Sequence, residues 1–497
     1  MRLTIIGGGS AGWMSALFLK KRYPHFDITV VNSSKLDILG AGEGTVGNSN
    51  YAFEYMELDP FEFIKRTKSS IKTGVKFTGW SKHNPEYFMG LAPVAYEDSS
   101  IYPQVLATAV KEDGNLDRLS MYSRQAYSNR LPLLRDKLDP KYIKDPAFVW
   151  HMSVAWHFDA RLLAAFLGEK AEERGVKIID NIVSGFNTDD SGNINKVIFE
   201  DESEIDCDFL IDCTGFQRLV IGKHFKSEWI DYKPYLPLDT GLAFTLPVKE
   251  ELPPYTELIA MNAGWVFNIP VQHRTGAGYL YASKYITEEE AIKEIKEKYG
   301  DVQIIKKFNF NAGHYKESWI NNCIAIGLSS GFLEPMEATT IHGTIRMLNK
   351  IIETYDLENY TQKDVDSFNK HVHKFYEDCR DFIAIHYITN RDDFPFWRDY
   401  MKDNKISDNL IKFLDKIKEN PVYSHEDMDS WKNDLHKVYY GTTGMDFNGD
   451  RLLEEIKEKD YSEELKRIDN KLNSELDNYI KSKDFFDMIM NDEWTIK

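Results

Sequence analysis

At 497 residues, 42% of them apolar, the chain is long enough for a large core and more than one structural unit. Its formal charge of −18, from 61 basic and 79 acidic residues, argues against nucleic acid and against an anionic membrane surface as partners. No apolar run is long enough to span a bilayer, and glycines interrupt the opening MRLTIIGGGSAGW too early for a signal peptide. The four cysteines, Cys207, Cys213, Cys323 and Cys379, have no metal-ligand spacing and read as small buried hydrophobes. The expectation is a cytoplasmic protein with no membrane partner and no metal.

Residues 2–6 form a short apolar strand, 7–12 a glycine turn, 13–21 a helix and 27–31 the next strand, which is the opening βαβ of a doubly wound α/β sheet. In Gly7-x-Gly9-x-x-Gly12 the first glycine allows the turn, the second lets backbone approach a pyrophosphate, and the third lets helix meet strand. Ser10 and Ala11 then belong to a helix N-terminus whose unpaired amides would hold phosphate. The motif indicates a dinucleotide without choosing FAD over NAD. The acid expected to bind a ribose diol after the second strand is Asn32, which can still hydrogen-bond a hydroxyl with less charge assistance, or serves as a turn residue. A second glycine-rich loop, 40–50, carries Gly42-Glu43-Gly44-Thr45; it is too short for a P-loop and reads equally well as a surface turn. IKTGVKF (71–77) sets Lys72 and Lys76 among apolar residues. Most lysines are solvated, but burial turns an amine into a donor or nucleophile.

Residues 51–160 alternate helix-like and irregular pieces. FDARLLAAFLGEKAEERG (158–175) is an amphipathic helix with Asp159 as an early cap and Gly175 as the stop. Residues 177–290 are rich in strands, with a turn at DDSGN (189–193), and IDCTGF (211–216) is a strand entering a glycine turn. In GWVFNIP (264–270) a period of two places Trp265 and Phe267 on one face, and Pro270 should end that strand or confine it to an edge. In GLSSGFLEPMEATTIHG (327–343), Gly327 and Gly331 bracket a turn, and Glu334 and Glu337 flank Pro335-Met336. Backbone amides here can bind an anion, with a helix start capped by acidic residues as the alternative. Beyond about Gly343 the pattern is helical. It closes on a stripe of Leu465, Ile468, Leu472 and Leu476, expected to pack on the rest of the protein rather than on a partner.

The stretches GGGSAGW (7–13), GEGT (42–45), KTGVKFTGW (72–80), HFDARLL (157–163) and DCTGF (212–216) together resemble the flavin-dependent halogenases of the tryptophan-halogenase type. So do GWVFNIP (264–270), GYLYASKYITEEEA (278–291), NCIAIGLSSGFLEPMEATTIH (322–342) and FIAIHYITNRDDFPFW (382–397). The matches run in order over most of the chain, and phage-encoded halogenases are candidate close relatives. The resemblance implies a GxGxxG-type FAD-binding doubly wound sheet domain with an additional mixed sheet over 1–345, carrying an insertion at about 46–150. It is fused to a mainly helical, substrate-covering part over 346–497.

By motif, Lys72 matches the family's catalytic lysine and Glu337 its catalytic glutamate, while the amides of Thr339 and Thr340 match its halide site. Gly7, Gly9, Ser10, Ala11, Gly12, Asn32, Gly42, Glu43, Gly44, Thr45, Leu328 and Ile341 fall at flavin-binding positions. Trp265, Phe267, Ile269 and Pro270 match a signature that separates organic substrate from flavin, with Phe267 standing for a second tryptophan; core packing is the plain alternative. Ala338 and Thr340 replace a common serine and glycine, and Tyr87-Phe88-Met89-Gly90 lacks the His-Pro-Phe that tryptophan-specific members use, which counts against free tryptophan as substrate.

The implied chemistry uses externally reduced FAD from a separate flavin reductase, O2 and a halide ion (chloride, bromide or iodide). These make hypohalous acid, which Lys72 carries as a hydrogen-bonded acid or a haloamine to an electron-rich aromatic such as an indole or phenol. Glu337 polarises the oxidant or takes the ring proton. Phe394, Phe396 and Trp397 line the substrate chamber or form helix core. Homo-oligomer formation stays open. The rivals are a flavin-dependent aromatic monooxygenase, which usually has a Gly-Asp pair where this chain has Gly327-Leu328, and a catalytically silent flavin-binding protein.

Overall fold

Strand Arg2–Ile6 is buried from Leu3 to Ile6, as befits the centre of a parallel sheet covered on both faces. The computed structural model describes residues 1–497 apart from 37–42, 48, 83, 92–99, 114, 136–145, 421–422, 430, 432–433, 444–455, 458 and 492–497. The chain folds as two compact units, each assembled from separated segments: Met1–Lys68, Phe158–Tyr232 and Asn311–Glu377 in the first, and Ser69–His157, Lys233–Phe310 and Asp378–Lys497 in the second. A boundary at 345/346 therefore does not coincide with any place where the chain passes between units.

In the first unit six strands lie in the order Trp319–Ile320, Cys323–Ala325, Phe209–Asp212, Arg2–Ile6, Asp27–Asn32, Lys177–Asp180. All neighbours are parallel except the antiparallel edge Trp319–Ile320. Helix Ser10–Arg22 is buried along nine of its thirteen residues and packs on helices Ala160–Glu173 and Thr339–Thr354. Asp159 does cap the second of these: its carboxylate accepts from the amides of Arg161 (2.9 Å) and Leu162 (3.3 Å), a contact of ~1 kcal/mol. Gly175, at φ +80, ends that turn. The expected turn at 189–193 closes a small antiparallel sheet.

The second unit is built on a seven-stranded mixed sheet in the order Ile304–Asn309, Thr240–Leu246, Arg274–Tyr281, Gly264–Val271, Thr256–Met261, Gly74–Thr78, Glu86–Gly90. One pair, Thr256–Met261 with Gly74–Thr78, is parallel. Pro270 corrects the sequence expectation. It lies inside Gly264–Val271, a central strand buried along its whole length, paired with Thr275. The hairpin turns through two residues, with Val271 opposite Arg274. The pair flanking such a turn exchanges both hydrogen bonds, so the next pair needs no N–H from residue 270. On the other side Thr256–Met261 begins opposite residue 269, short of Pro270. A proline is tolerated where neither neighbour asks for its donor.

Leu465, Ile468 and Leu472 are buried in helix Ser462–Leu476, and Leu476 is half-buried. The helix packs on Tyr102–Asp113 and Met121–Tyr127 of the same unit, so the stripe serves the chain's own core. Asp469 anchors it through Arg118 (2.5 Å) and Arg124 (2.6 Å).

Nearby, Asp117 is buried, accepting from the Phe88 amide (3.0 Å) and the Tyr127 hydroxyl (2.8 Å). Burial raises its pKa from 3.8 to about 7, against the pull of those two bonds. Its folded pKa lies above the unfolded one, so the native state holds the extra proton between about pH 4 and 7. Stability from this group falls as pH rises through that window. Asp117→Asn should flatten this slope and be more stable than wild type at pH 8, by up to about 4 kcal/mol. Denaturant melts at pH 5 and pH 8 check this; an equal slope in both proteins would refute it.

Candidate active site

The glycine loop of the first unit divides its work among three positions. Gly7 has φ +113, and a Cβ there would lie 2.2 Å from the Cys213 carbonyl oxygen; a Cβ on Gly12 would lie 1.8 Å from the Gly7 carbonyl oxygen. Backbone closes both sites. Gly9, at an ordinary φ of −83, meets nothing within 4 Å. It is the N-cap of Ser10–Arg22, and no side chain caps that helix and no acid stands in its first turn. Helix dipole, amide donors and open space coincide, which is what a pyrophosphate requires. Asn32 ends its strand with its side chain against Gly8, where a Cβ would be 2.3 Å from Oδ1. These residues fit a dinucleotide. Thr45 is buried, Gly44 half-buried, and strand Glu43–Gly44 runs beside the Met336–Ala338 turn; Gly42 lies outside the described residues.

The DCTGF turn is held by Asp212, which is fully buried. Its Oδ1 accepts from the Thr214 amide (3.0 Å) and hydroxyl (2.7 Å), and its Oδ2 from the amides of Val220 and Ile221, both at 3.0 Å. The Gly215 amide donates to Ser329 Oγ (2.9 Å), joining this turn to Gly327–Ser329. Gly327, at φ +69, sits so close to the first helix that a Cβ would be 2.9 Å from that of Ala11. The late motif, with half-buried Leu328, is thereby brought to the glycine loop.

Glu337 (φ 58, ψ 28) and Ala338 (φ 56, ψ 31) are then both left-handed, just before helix Thr339–Thr354. Two such non-glycine residues cost ~1–2 kcal/mol each. The strain turns the chain sharply, buries Glu337 to 5% exposure, and leaves the amides of Thr339, Thr340 and Ile341 at a helix start without a side-chain cap. The acidic-cap alternative is not what forms. Thr339 Oγ1 donates instead to the Glu334 carbonyl (3.3 Å).

In the second unit Lys72 ends the strand Ser70–Lys72 and is only 2% exposed. The strand pairs antiparallel with Ala155–Phe158 over three residues, Ser70 opposite His157 and Lys72 opposite Ala155. The segment is tied on both sides of the lysine. Gln272 Nε2 donates to the Ser69 carbonyl (2.7 Å) and Ser70 Oγ to the Pro270 carbonyl (2.5 Å). The Thr73 amide (2.7 Å) and hydroxyl (2.8 Å) both donate to the Pro254 carbonyl. His157, fully buried, places Nδ1 3.1 Å from Ser70 Oγ and Nε2 2.8 Å from Thr256 Oγ1. Burial, and then the charge of Lys72, push its pKa well below the ordinary value. Lys76, the other lysine of the run, is an ion-pair residue with Glu86 (3.0 Å) and Glu257 (3.7 Å).

Trp265 and Phe267 do share a face, and so do residues across the ladder: Leu258 opposite Phe267, Phe77 opposite Leu258, Tyr87 opposite Phe77. Phe77 stacks on Tyr87 (4.6 Å) and on His386 (5.2 Å); Trp80 meets Trp265 (6.5 Å) and Trp397 (5.4 Å). Trp265 Nε1 donates to Tyr387 Oη (3.0 Å), and Trp397 Nε1 to the Met261 carbonyl (2.7 Å). Phe267 lies over Gly278, where a Cβ would be 2.5 Å from its ring. His386 is buried, donates Nδ1–H to the Phe382 carbonyl (2.8 Å), and is kept neutral by burial, with its pKa lowered to about 3. Ile269 is buried on the same face, Phe396 is buried, and Phe394 is half-buried. The sequence by itself gives His157, Ser70, Thr256, Trp80, Tyr387 and His386 no role; HFDARLL, KTGVKFTGW and FIAIHYITN, all part of the resemblance, contain four of them, while Ser70 and Thr256 fall in none of its motifs.

Among the described residues no group of His, Cys, Asp and Glu could hold a metal ion, and no helix is long and apolar enough to cross a membrane. A family model described as tryptophan halogenase matches residues 2–456. The chain is 29% identical over 444 residues to the tryptophan 6-halogenase SttH of Streptomyces toxytricini, covering 84% of each chain. The crystal structure of that protein superposes with a TM-score of 0.87 at 25% identity over 98% of this chain and 99% of the other. It is 28% identical over 481 residues to the tryptophan 7-halogenase RebH of Lentzea aerocolonigenes, covering 90% of this chain and 86% of that protein. Xcc4156, a flavin-dependent halogenase from Xanthomonas campestris, superposes with a TM-score of 0.86 at 26% identity, covering 98% of both chains. With a dinucleotide loop, a mixed α/β body and this match over nearly its whole length, the chain belongs to the tryptophan halogenase family, the FAD- and halide-using, FADH2-dependent halogenases of aromatic substrates.

Proposed function

We propose that this halogenase acts through Lys72, and the observation that carries the reading is the burial of that amine, 2% exposed in a segment fastened before and after it. Bound FAD, when reduced, supplies with O2 the oxidising equivalents that turn halide into hypohalous acid. The glycine loop (Gly7, Gly9, Ser10, Ala11, Gly12) holds its pyrophosphate. Asn32 meets a hydroxyl, and Glu43, Gly44, Thr45, Leu328 and Ile341 complete the cofactor's surroundings. The uncapped amides at Thr339 and Thr340 hold the halide, because a helix start without an acid favours an anion. Lys72 binds the hypohalous acid by hydrogen bond or as a haloamine, and Glu337 polarises it or removes the ring proton. One aryl C–H, one halide, one O2, one FADH2 and one proton become one aryl C–X, FAD and two waters.

The substrate is a small electron-rich aromatic, an indole or phenol. The wall of Trp265, Phe267 and Ile269 with Phe77, Tyr87 and Trp80 suits such a ring, and Trp265, Phe267, Ile269 and Pro270 match the signature by which the family separates substrate from flavin. A separate reductase in the cytoplasm supplies FADH2; four buried free cysteines accord with a reducing compartment. Incubation with reduced FAD, O2 and each halide over a panel of indoles and phenols tests the reading, and oxygenated but never halogenated product would favour a monooxygenase.

Gly9→Ala and Gly12→Ala test the cofactor loop. Gly9 has ordinary φ and free space, so Gly9→Ala should melt like wild type without FAD yet bind FAD about 10-fold or more weakly, its methyl occupying the phosphate's place. Gly12→Ala should fail to fold, since its Cβ would lie 1.8 Å from a backbone oxygen. Unchanged FAD affinity in Gly9→Ala would move the pyrophosphate elsewhere.

A further inference from the structure

We propose that His157 is the positioning residue of Lys72, acting through Ser70 as a neutral imidazole protonated on Nδ1. The inference rests on Lys72 being the amine that takes up the oxidant.

The direction of every bond in the network follows from one group. The Pro270 carbonyl can only accept, so the single hydroxyl proton of Ser70 goes to it at 2.5 Å. Ser70 Oγ must then accept at its 3.1 Å contact with His157, which places a proton on Nδ1. A neutral imidazole has only one, so Nε2 accepts from the Thr256 hydroxyl at 2.8 Å. Thr256, His157, Ser70 and Pro270 thus form a one-way chain with no donor or acceptor of the histidine ring left over. The ring is fully buried, and both burial and the nearby Lys72 charge oppose a second proton on it.

This chain controls the lysine through strand geometry. Side chains two apart leave the same face of a strand, so Ser70 and Lys72 point the same way. The ladder and the ties at Ser69 and Thr73 hold the backbone, and within the strand Ser70 alone shares the lysine's face. Ser70 is held from two sides, by His157 in the paired strand and by Pro270 in the aromatic strand, and this sets the face from which the amine projects. A loosened Ser70 leaves the amine present but misdirected. Misplacement of a reacting group by about 1 Å can cost ~100-fold in rate. Hypohalous acid would still form and would escape.

The test compares His157→Asn, His157→Gln and Ser70→Ala with wild type and Lys72→Ala. Asparagine puts an amide donor near the Nδ1 position and can keep the bond to Ser70; glutamine reaches the Nε2 position and cannot. The readouts are halogenated product per O2 consumed, and hypohalite escaping to a scavenger in solution. His157→Gln and Ser70→Ala are expected to lose product about 10-fold with a matching rise in scavenged hypohalite, while His157→Asn stays within about 3-fold of wild type. A histidine needed only for folding would lower O2 consumption and product together and would show no rescue by asparagine. Wild-type product from Ser70→Ala, or equal losses in the two histidine variants, overturns the proposal; Ser70→Ala, which removes one oxygen, keeps it testable if the histidine variants do not fold. Lys72→Ala separates the two claims. If it halogenates at the wild-type rate the role of Lys72 itself falls, whereas a silent Lys72→Ala beside a fully active His157→Gln and Ser70→Ala removes only the positioning role.

Discussion

Lys72→Ala should reduce halogenated product by about a thousandfold or more while O2 consumption continues and peroxide or hypohalite appears in solution. On the proposed reading the chemistry that oxidises halide belongs to the cofactor and the lysine acts after it, so the two signals separate. Lys72→Met sharpens the test. It keeps the length and apolar stem of a side chain that is 2% exposed, and it removes only the amine. The methionine variant keeps the packing of the stem and should be as inactive as the alanine variant. Lost product with unchanged melting assigns the effect to the amine. Product at the wild-type rate from either variant would remove Lys72 from the reaction.

Sequence patterns that report a local period or a local turn carried over well. The glycine loop, the Asp159 cap, the shared face of Trp265 and Phe267 and an apolar setting for Lys72 are all set by neighbours within a few residues, and the structure has each of them. What stayed hidden depends on which distant segment comes to lie alongside. His157 meets Ser70 from 87 residues away and Thr256 from 99, and nothing local to HFDARLL says that its ring nitrogens are used there. Asp117 looks like any surface acid until the Phe88 and Tyr127 contacts close over it. Pro270 departs from the strand-ending expectation because its tolerance comes from hairpin register and from where the neighbouring strand begins, neither of which is local to residue 270. Glu337 and Ala338 are poor left-handed residues by propensity, so their conformation is imposed by the packing around the 327–343 motif. The family assignment was legible throughout, because it rests on residues spread along the chain and needs no knowledge of which segments pair.

Glu337→Gln should lower halogenated product by about 100- to 10,000-fold, the range for loss of a positioned proton acceptor. Glutamine keeps the length and planar end of the side chain, so the left-handed turn at 337–338 and the helix start behind it should survive, with melting and FAD binding close to wild type. The variant also separates the two tasks open to this carboxylate. If Glu337 takes the proton from the arenium ion, removing it makes C–H cleavage slow. A substrate deuterated at the halogenated carbon should then react severalfold more slowly in the variant while showing no such difference in wild type. If Glu337 instead polarises the oxidant, carbon–halogen bond formation becomes the slow step and deuteration changes nothing in either protein. Wild-type turnover in Glu337→Gln would exclude both, and would leave the strained pair before the helix serving the halide amides of Thr339 and Thr340 alone.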